Sequence, residues 1–266
     1  MSIETELHPE LRADVSGPVA TVTIDAPDNE NRLNPESLRS LGTLVEELRT
    51  RTDIHAVIFT GAGDEWFSAG LMNPAIRAAM TKDEVIAYVV DGNRIFDELE
   101  ALPQITIAAI NGRIVAGASE LALACDIRIA GEHSILMLPE AKWGGFPGAG
   151  APHRLSMVVG HGHAIELIAS GKETNAGEME RIGFVNHLHP RGEVLSAATK
   201  LAAAIGANGP LATRGAKRIA RARREPGFRA ARELSDSLRH ALEWSHDVDE
   251  GIVAAKEGRP AKFTGR

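Results

Sequence analysis

Hydrophobic positions along the chain alternate between two periods. At Val19–Ile24 the run VATVTI is rich in β-branched residues and bounded by SGP and APDN, which predicts a strand. NPESLRSLGTLVEELRTR then changes to helical spacing, with Leu38, Leu41, Val45 and Leu48 on one stripe, Asn34 as N-cap and Pro35 opening the first turn. HAVIFTGAG returns to a short buried strand that ends in glycines. Strand, helix and strand in this order imply a parallel crossover. After the loop GAGDEWFSAGLMNPAI, Thr81 and Glu84 have capping-box spacing and open a helix that turns Val85, Val89, Phe96 and Leu99 toward a core. ITIAAI (Ile105–Ile110) is a further buried strand, Gly117–Ala124 suits a short helix, and Ile127–Ala130 another strand. From Gly192 onward EVLSAATKLAAAIGANGP, LATRGAKRIARARR and FRAARELSDSLRHALEW read as helices punctuated by Gly-Pro and Glu-Pro-Gly. The whole predicts an α/β chain: a βα core over residues 1–191 and a helical region over 192–266, where Leu234, Leu238, Ala241 and Leu242 form a stripe that needs a partner surface.

Composition narrows the class. With 266 residues, 44% of them apolar and 24% charged, the chain falls in the ordinary globular range, and no apolar run approaches the roughly 18 residues that would span a bilayer. A membrane protein is not expected. The acidic start MSIETELHPE lacks the basic and apolar regions of a secretory leader, and the net charge of -7 argues against a nucleic-acid partner. The single cysteine, Cys125, has no internal disulfide partner, which fits a cytoplasmic location. It sits in an apolar run and reads as a buried core thiol.

Two carboxylates stand where ionised groups are expensive. Glu120 is set among Ala, Gly, Leu and Cys in IVAGASELALACDIRIA, and Glu140 follows an apolar run in LMLPEAKWGGFPGAGAPHRL. Low-dielectric surroundings would raise both pKa values toward neutrality and let the pair divide acid and base work; the plainer alternative is that each caps a helix or pairs with an arginine. The turns in FSAGL and VAGAS put small residues where main-chain N–H groups are unsatisfied, an arrangement that serves an oxyanion hole or simply a tight turn. His161/His163 and His187/His189 have a spacing that suits a metal in a strand, but no Cys or Asp cluster accompanies them, and they read as loop histidines; no metal is expected. The basic run RGAKRIARARREPGFRAAR is read as a solvated helix face rather than a phosphate or nucleic-acid site.

Taken together, these segments resemble the crotonase, or enoyl-CoA hydratase/isomerase, superfamily. VTIDAPDNENRLNPESL, AVIFTGAGDEWFSAG, ITIAAINGRIVAGASELALACDIRIA, LPEAKWGGFPGAGAPHRL, ASGKETNAGEMERIGFVNHLHP and DVDEGIVAAKEGRPAKFTGR occur in family order over nearly the whole length. The resemblance implies a spiral of repeated ββα units, a helical C-terminal region that assembles trimers or dimers of trimers, and an acyl-CoA thioester as substrate, with no cofactor beyond the coenzyme A the substrate carries. It assigns Glu120 and Glu140 to catalysis, the first activating water and the second delivering a proton to the α-carbon. The N–H groups of Leu71 and Gly117 would hold the thioester oxygen. Arg32, Leu33, Ala69, Leu71, Lys262 and Phe263 fall at coenzyme A-binding positions, and Met72, Trp143 and Gly145 at the acyl pocket.

The chain also departs from the family pattern. LMNP stands where many members read Ala-Asp, an aliphatic residue and Lys; AGAS replaces a common GGGC; Trp143 and Gly145 replace smaller aliphatic and apolar residues. These changes touch the acyl pocket and the loop over coenzyme A. Family isomerases usually keep only the acid equivalent to Glu140, so retention of both implies hydration of a 2-enoyl-CoA. The rivals are isomerisation, thioester hydrolysis or C–C bond cleavage on the same scaffold, and a non-catalytic acyl-CoA-binding oligomer.

Overall fold

The computed structural model describes residues 2–143, 145–224, 246–247, 250, 254, 257 and 259–266. The chain opens with antiparallel strands β1 (Leu11–Ser16) and β2 (Val19–Ile24), followed by helix α1 (Pro35–Thr50). One unit then runs three times. Strands β3 (Ala56–Gly61) and β4 (Trp66–Ser68) lead into α2 (Pro74–Ala78) and α3 (Lys82–Glu100). Strands β5 (Ile105–Ile110) and β6 (Arg113–Val115) lead into α4 (Gly117–Ala124). Strands β7 (Ile127–Gly131) and β8 (Ile135–Met137) lead into a 3-10 turn at Pro139–Trp143 and helix α5 (Ala151–Val159). Helix α6 (His161–Ser170), strand β9 (Thr174–Asn175), α7 (Ala176–Arg181), β10 (His187–His189), α8 (Val194–Gly206) and α9 (Pro210–Arg224) follow.

The first strand of each unit joins a six-stranded sheet in the order β1-β2-β3-β5-β7-β10, and the second joins a four-stranded sheet in the order β4-β6-β8-β9. Consecutive units pair in parallel in both sheets, so the chain climbs as a ββα spiral. The crossover from β2 through α1 to β3 is parallel, as the alternation of periods requires.

Strand alternation explains the continuous apolar runs. In β3, Val57 and Phe59 face the main core while Ala56 and Ile58 face the opposite side; in β5, Ala108 and Ile110 take the first face and Ile107 and Ala109 the second. Helix α8 covers that second face with Val194, Ala198 and Ala202, so both sides of the sheet are buried. On the first side α1 buries Leu38, Leu41, Val45 and Leu48. Its Asn34 side chain accepts from Ser37 N–H at 2.8 Å, a cap whose loss costs about 1 kcal/mol. Thr81 and Glu84 form the capping box of α3.

Three expectations need correction. Val85 and Val89 do not enter the core with Phe96 and Leu99; the N-terminal part of α3 fronts a cavity, and they line it. His161 and His163 lie in the first turn of α6 and His187 and His189 in β10, not in loops. The basic run is not wholly a solvated face: Lys217 is buried, its Nζ 2.6 Å from Asp126 Oδ2 and 2.8 Å from Gln104 O, while Arg214 donates to Thr52 O at 2.9 Å. The stripe at Leu234, Leu238, Ala241 and Leu242 lies outside the described residues.

Candidate active site

The site begins with strand pairing. β4 and β6 run in parallel with Ser68 opposite Ile114, so the turns that follow them emerge side by side. Gly70 in the first turn has φ +81°, and a Cβ there would lie 2.7 Å from Gly117 N. A Cβ on Gly117 would lie 2.7 Å from Leu71 Cγ and 3.2 Å from Leu71 N. Only glycine permits so close an approach of the two backbones. As the first residue of α4, Gly117 carries an N–H with no acceptor inside the helix. Among the described residues neither this N–H nor that of Leu71 has an acceptor.

Ala116, immediately before Gly117, has φ 54° and ψ -126°, a strained conformation for a residue with a Cβ. Its N–H bonds to Met137 O at 2.9 Å, which ties the second turn to β8. The first turn is held from several sides. Ser68 Oγ accepts from Gly70 N–H at 2.9 Å, Arg32 Nη1 donates to Ala69 O at 2.8 Å, and Leu33 N–H donates to Gly70 O at 3.0 Å. The Tyr88 hydroxyl donates to Leu33 O and lies 3.4 Å from Leu71 O. Burial raises the Tyr88 phenol pKa, so it remains a donor at neutral pH.

Helix α4 carries Glu120 one turn beyond Gly117, and only 2% of it is exposed. Its Oε1 accepts from Ala151 N–H at 2.9 Å. Burial pushes the carboxyl up to about 7, against the N–H groups of Ala151, Ala149 and Gly150 and the positive charge of Arg154, all of which favour the ionised form. Glu140, in the 3-10 turn, is also pushed up to about 7 by burial, with the charge of Glu120 adding to the rise. Its Oε2 is buried and has no hydrogen-bond partner among the described residues. The two acids therefore differ: Glu120 rests on three main-chain N–H groups and the charge of Arg154, whereas Glu140 has its own N–H as donor and faces the charge of Glu120.

Glu120, Glu140, Leu71 and Gly117 line one cavity of about 930 Å³. Met72, Trp143 and Gly145, expected at the acyl pocket, line it too. Sequence reasoning passed over Phe146, Met80 and Arg77, which complete parts of the wall. The coenzyme A-binding candidates are more dispersed. Arg32, Leu33 and Ala69 lie behind the first turn, with the Arg32 guanidinium on Ala69 O and Glu30. Phe263 lies against Gly209, and Lys262 N–H donates to Glu250 Oε1 at 2.7 Å; neither side chain lines the cavity. Cys125 is buried, and burial pushes its thiol up to about 12. Among the described residues no group of three or more His, Cys, Asp or Glu side chains is arranged to hold a metal ion.

The sequence profile of the enoyl-CoA hydratase/isomerase family matches residues 14–266. The chain belongs to this family. YngF of Bacillus subtilis, whose name places it among the enoyl-CoA hydratases/isomerases, is 37% identical over 247 residues, 93% of this chain and 95% of that protein. The short-chain-enoyl-CoA hydratase of Clostridium acetobutylicum is 37% identical over 198 residues, 74% of this chain and 76% of the relative. The crystal structure of an enoyl-CoA hydratase from Bacillus anthracis superposes with a TM-score of 0.93 at 31% identity, covering 97% of this chain and all of that one. The crotonase-like ββα spiral expected from the family motifs is the fold observed.

Proposed function

We propose that the protein is an enoyl-CoA hydratase that adds water across the double bond of a 2-enoyl-CoA thioester. The observation that carries this reading is the meeting of two glutamates, Glu120 buried and Glu140 partly buried, each pushed up to about 7, with the paired N–H groups of Leu71 and Gly117 on one cavity. Hydration needs these parts. Attack at the β-carbon sends negative charge to the thioester oxygen, where two fixed donors and the positive end of α4 oppose it. Glu120, whose ionised form is favoured by the N–H groups of Ala151, Ala149 and Gly150 and by Arg154, is the acid that takes a proton from water as its oxygen bonds to the β-carbon. Glu140, whose ionised form the charge of Glu120 disfavours, is the acid that gives its proton to the α-carbon. One proton enters the pair and one leaves, so the reaction balances without a cofactor beyond the coenzyme A of the substrate.

The short-chain name of the Clostridium relative makes crotonyl-CoA the first substrate to try. The test is loss of the conjugated enoyl absorbance on mixing, with the product identified as the 3-hydroxyacyl thioester. Glu120→Gln and Glu140→Gln should each lower kcat about 100-fold or more, and the double variant should lose less than the product of the two. Full activity in either single variant refutes the assignment; turnover that needs only Glu140 transfers the site to double-bond isomerisation. We further propose a cytoplasmic enzyme that assembles as a homotrimer or dimer of trimers, which sedimentation at micromolar concentration checks, a clean monomer being the refuting result. Among the described residues no helix is long and apolar enough to cross a membrane.

A further inference from the structure

Helix α5 places a cation behind the catalytic acids. The Arg154 side chain is only 2% exposed, and its Nη1 donates to Ala149 O at 3.0 Å. Nε donates to Glu100 Oε2 at 2.8 Å and Nη2 to Asp97 Oδ1, both carboxylates from α3. The guanidinium fits because residue 150 is glycine: a Cβ there would lie 1.8 Å from Arg154 Nη1, and φ is +118°. Arg154 thus grips the outer side of the segment Ala149–Ala151 whose inner N–H groups face Glu120.

We infer that Arg154 is the positioning residue of Glu120: it anchors the main-chain arch on which that carboxylate rests and supplies the buried positive charge behind it. The inference rests on the hydratase reading for its catalytic meaning, though not for its geometry. The charged and titratable groups around Glu120 come from several elements, and Arg77 of α2 and Lys82 of α3 line the same cavity. Helix α3 presents Asp97 and Glu100, both bound to Arg154; α5 presents Arg154 and, beside Gly150, His153; β6 carries Arg113, paired with Glu173; and the 3-10 turn presents Glu140. The charge of Arg154 favours an ionised Glu120, whereas an ionised Glu120 disfavours an ionised Glu140. Arg154 therefore adds to the N–H groups of Ala151 and Ala149 in biasing Glu120 toward the ionised form.

The test titrates the Glu120 carboxyl directly, by carbon NMR of glutamate-labelled protein in a Glu140→Gln background, with the Glu120→Gln protein assigning the resonance. Arg154→Met should raise the midpoint by about one unit and Arg154→Lys should restore most of the difference. Glu100→Gln keeps an acceptor for Arg154 Nε but removes an anion, so it should move the midpoint down. A structural role alone would not produce shifts of opposite sign. An unchanged midpoint in folded Arg154→Met, or in Glu100→Gln if the methionine variant does not fold, overturns the inference. In the otherwise wild-type enzyme the rising limb of kcat/KM against pH should follow the same shifts. Shifted midpoints in a protein that hydrates no enoyl-CoA would uphold Arg154 and refute the hydratase assignment.

Discussion

Replacing Glu120 by glutamine should flatten the pH dependence of folding stability. The folded protein raises this carboxyl from an ordinary 4.5 to about 7. Its contribution to stability is therefore fully present below the unfolded value and is lost as pH rises through the folded one. A shift of this size corresponds to about 3 kcal/mol once both states are ionised, of which about 2.5 kcal/mol falls between pH 5 and pH 8. A glutamine side chain at this position would still offer an oxygen to Ala151 N–H but cannot ionise. The stability of Glu120→Gln relative to its parent should thus improve by about 2.5 kcal/mol across that interval, whatever the offset at pH 5. Urea unfolding followed by tryptophan fluorescence at fixed protein concentration measures the gap, with Glu140→Gln in both proteins so that no proton is shared between the two acids. A gap that stays constant within about 0.5 kcal/mol from pH 5 to pH 8 would show that the site does not hold Glu120 neutral and would remove the acid-base argument at its root.

Three further outcomes can be measured. Leu71→Ala keeps the main-chain donor and should cost little turnover, while Leu71→Pro deletes it and should lower kcat about 100- to 1,000-fold; the comparison holds only if both variants keep the parent's melting temperature and oligomeric state. Ala116→Gly should stabilise the fold by about 1 kcal/mol, seen as a higher melting temperature, because glycine adopts φ 54° and ψ -126° without strain. Lys217→Met removes the cation beside Asp126, whose side chain is 23% exposed and keeps the Thr106 N–H and hydroxyl donors, and should destabilise the protein by about 1–2 kcal/mol in urea titration.

Legibility in the sequence followed the length and contrast of each pattern. Helix α1 was readable because Asn34, Pro35 and a regular apolar stripe agree, and β5 because six apolar or β-branched residues lie together. Strands β4, β6 and β8 have three residues each, too few for alternation to register, so the second strand of every unit was invisible without the family resemblance. Strand β1 buries only Leu11 along LRADVS, a weak trace typical of an edge. In the site, Glu120 and Glu140 declared themselves by being charged in apolar surroundings. Arg154 did not: its carboxylate partners lie more than fifty residues away on α3, and nothing local marks it except Gly150 four residues earlier. The left-handed backbone of Ala116 was equally hidden, since alanine has no preference for it.

All three turns of the spiral contribute to the proposed reaction apparatus. Leu71 N–H comes from the first, Gly117 N–H and Glu120 from the second, and Glu140 from the third, with Ala151 N–H then closing on Glu120. No fragment that ends before residue 151 can assemble the set, and no single turn holds all of it. During synthesis the ribosome would release these elements one after another, and the proposed chemistry would stay switched off until the last turn docked. Turnover in such a protein is a readout of the stacking order itself: slip one turn against the next by a single strand residue, about 3.3 Å, and the donors part from the acids they serve.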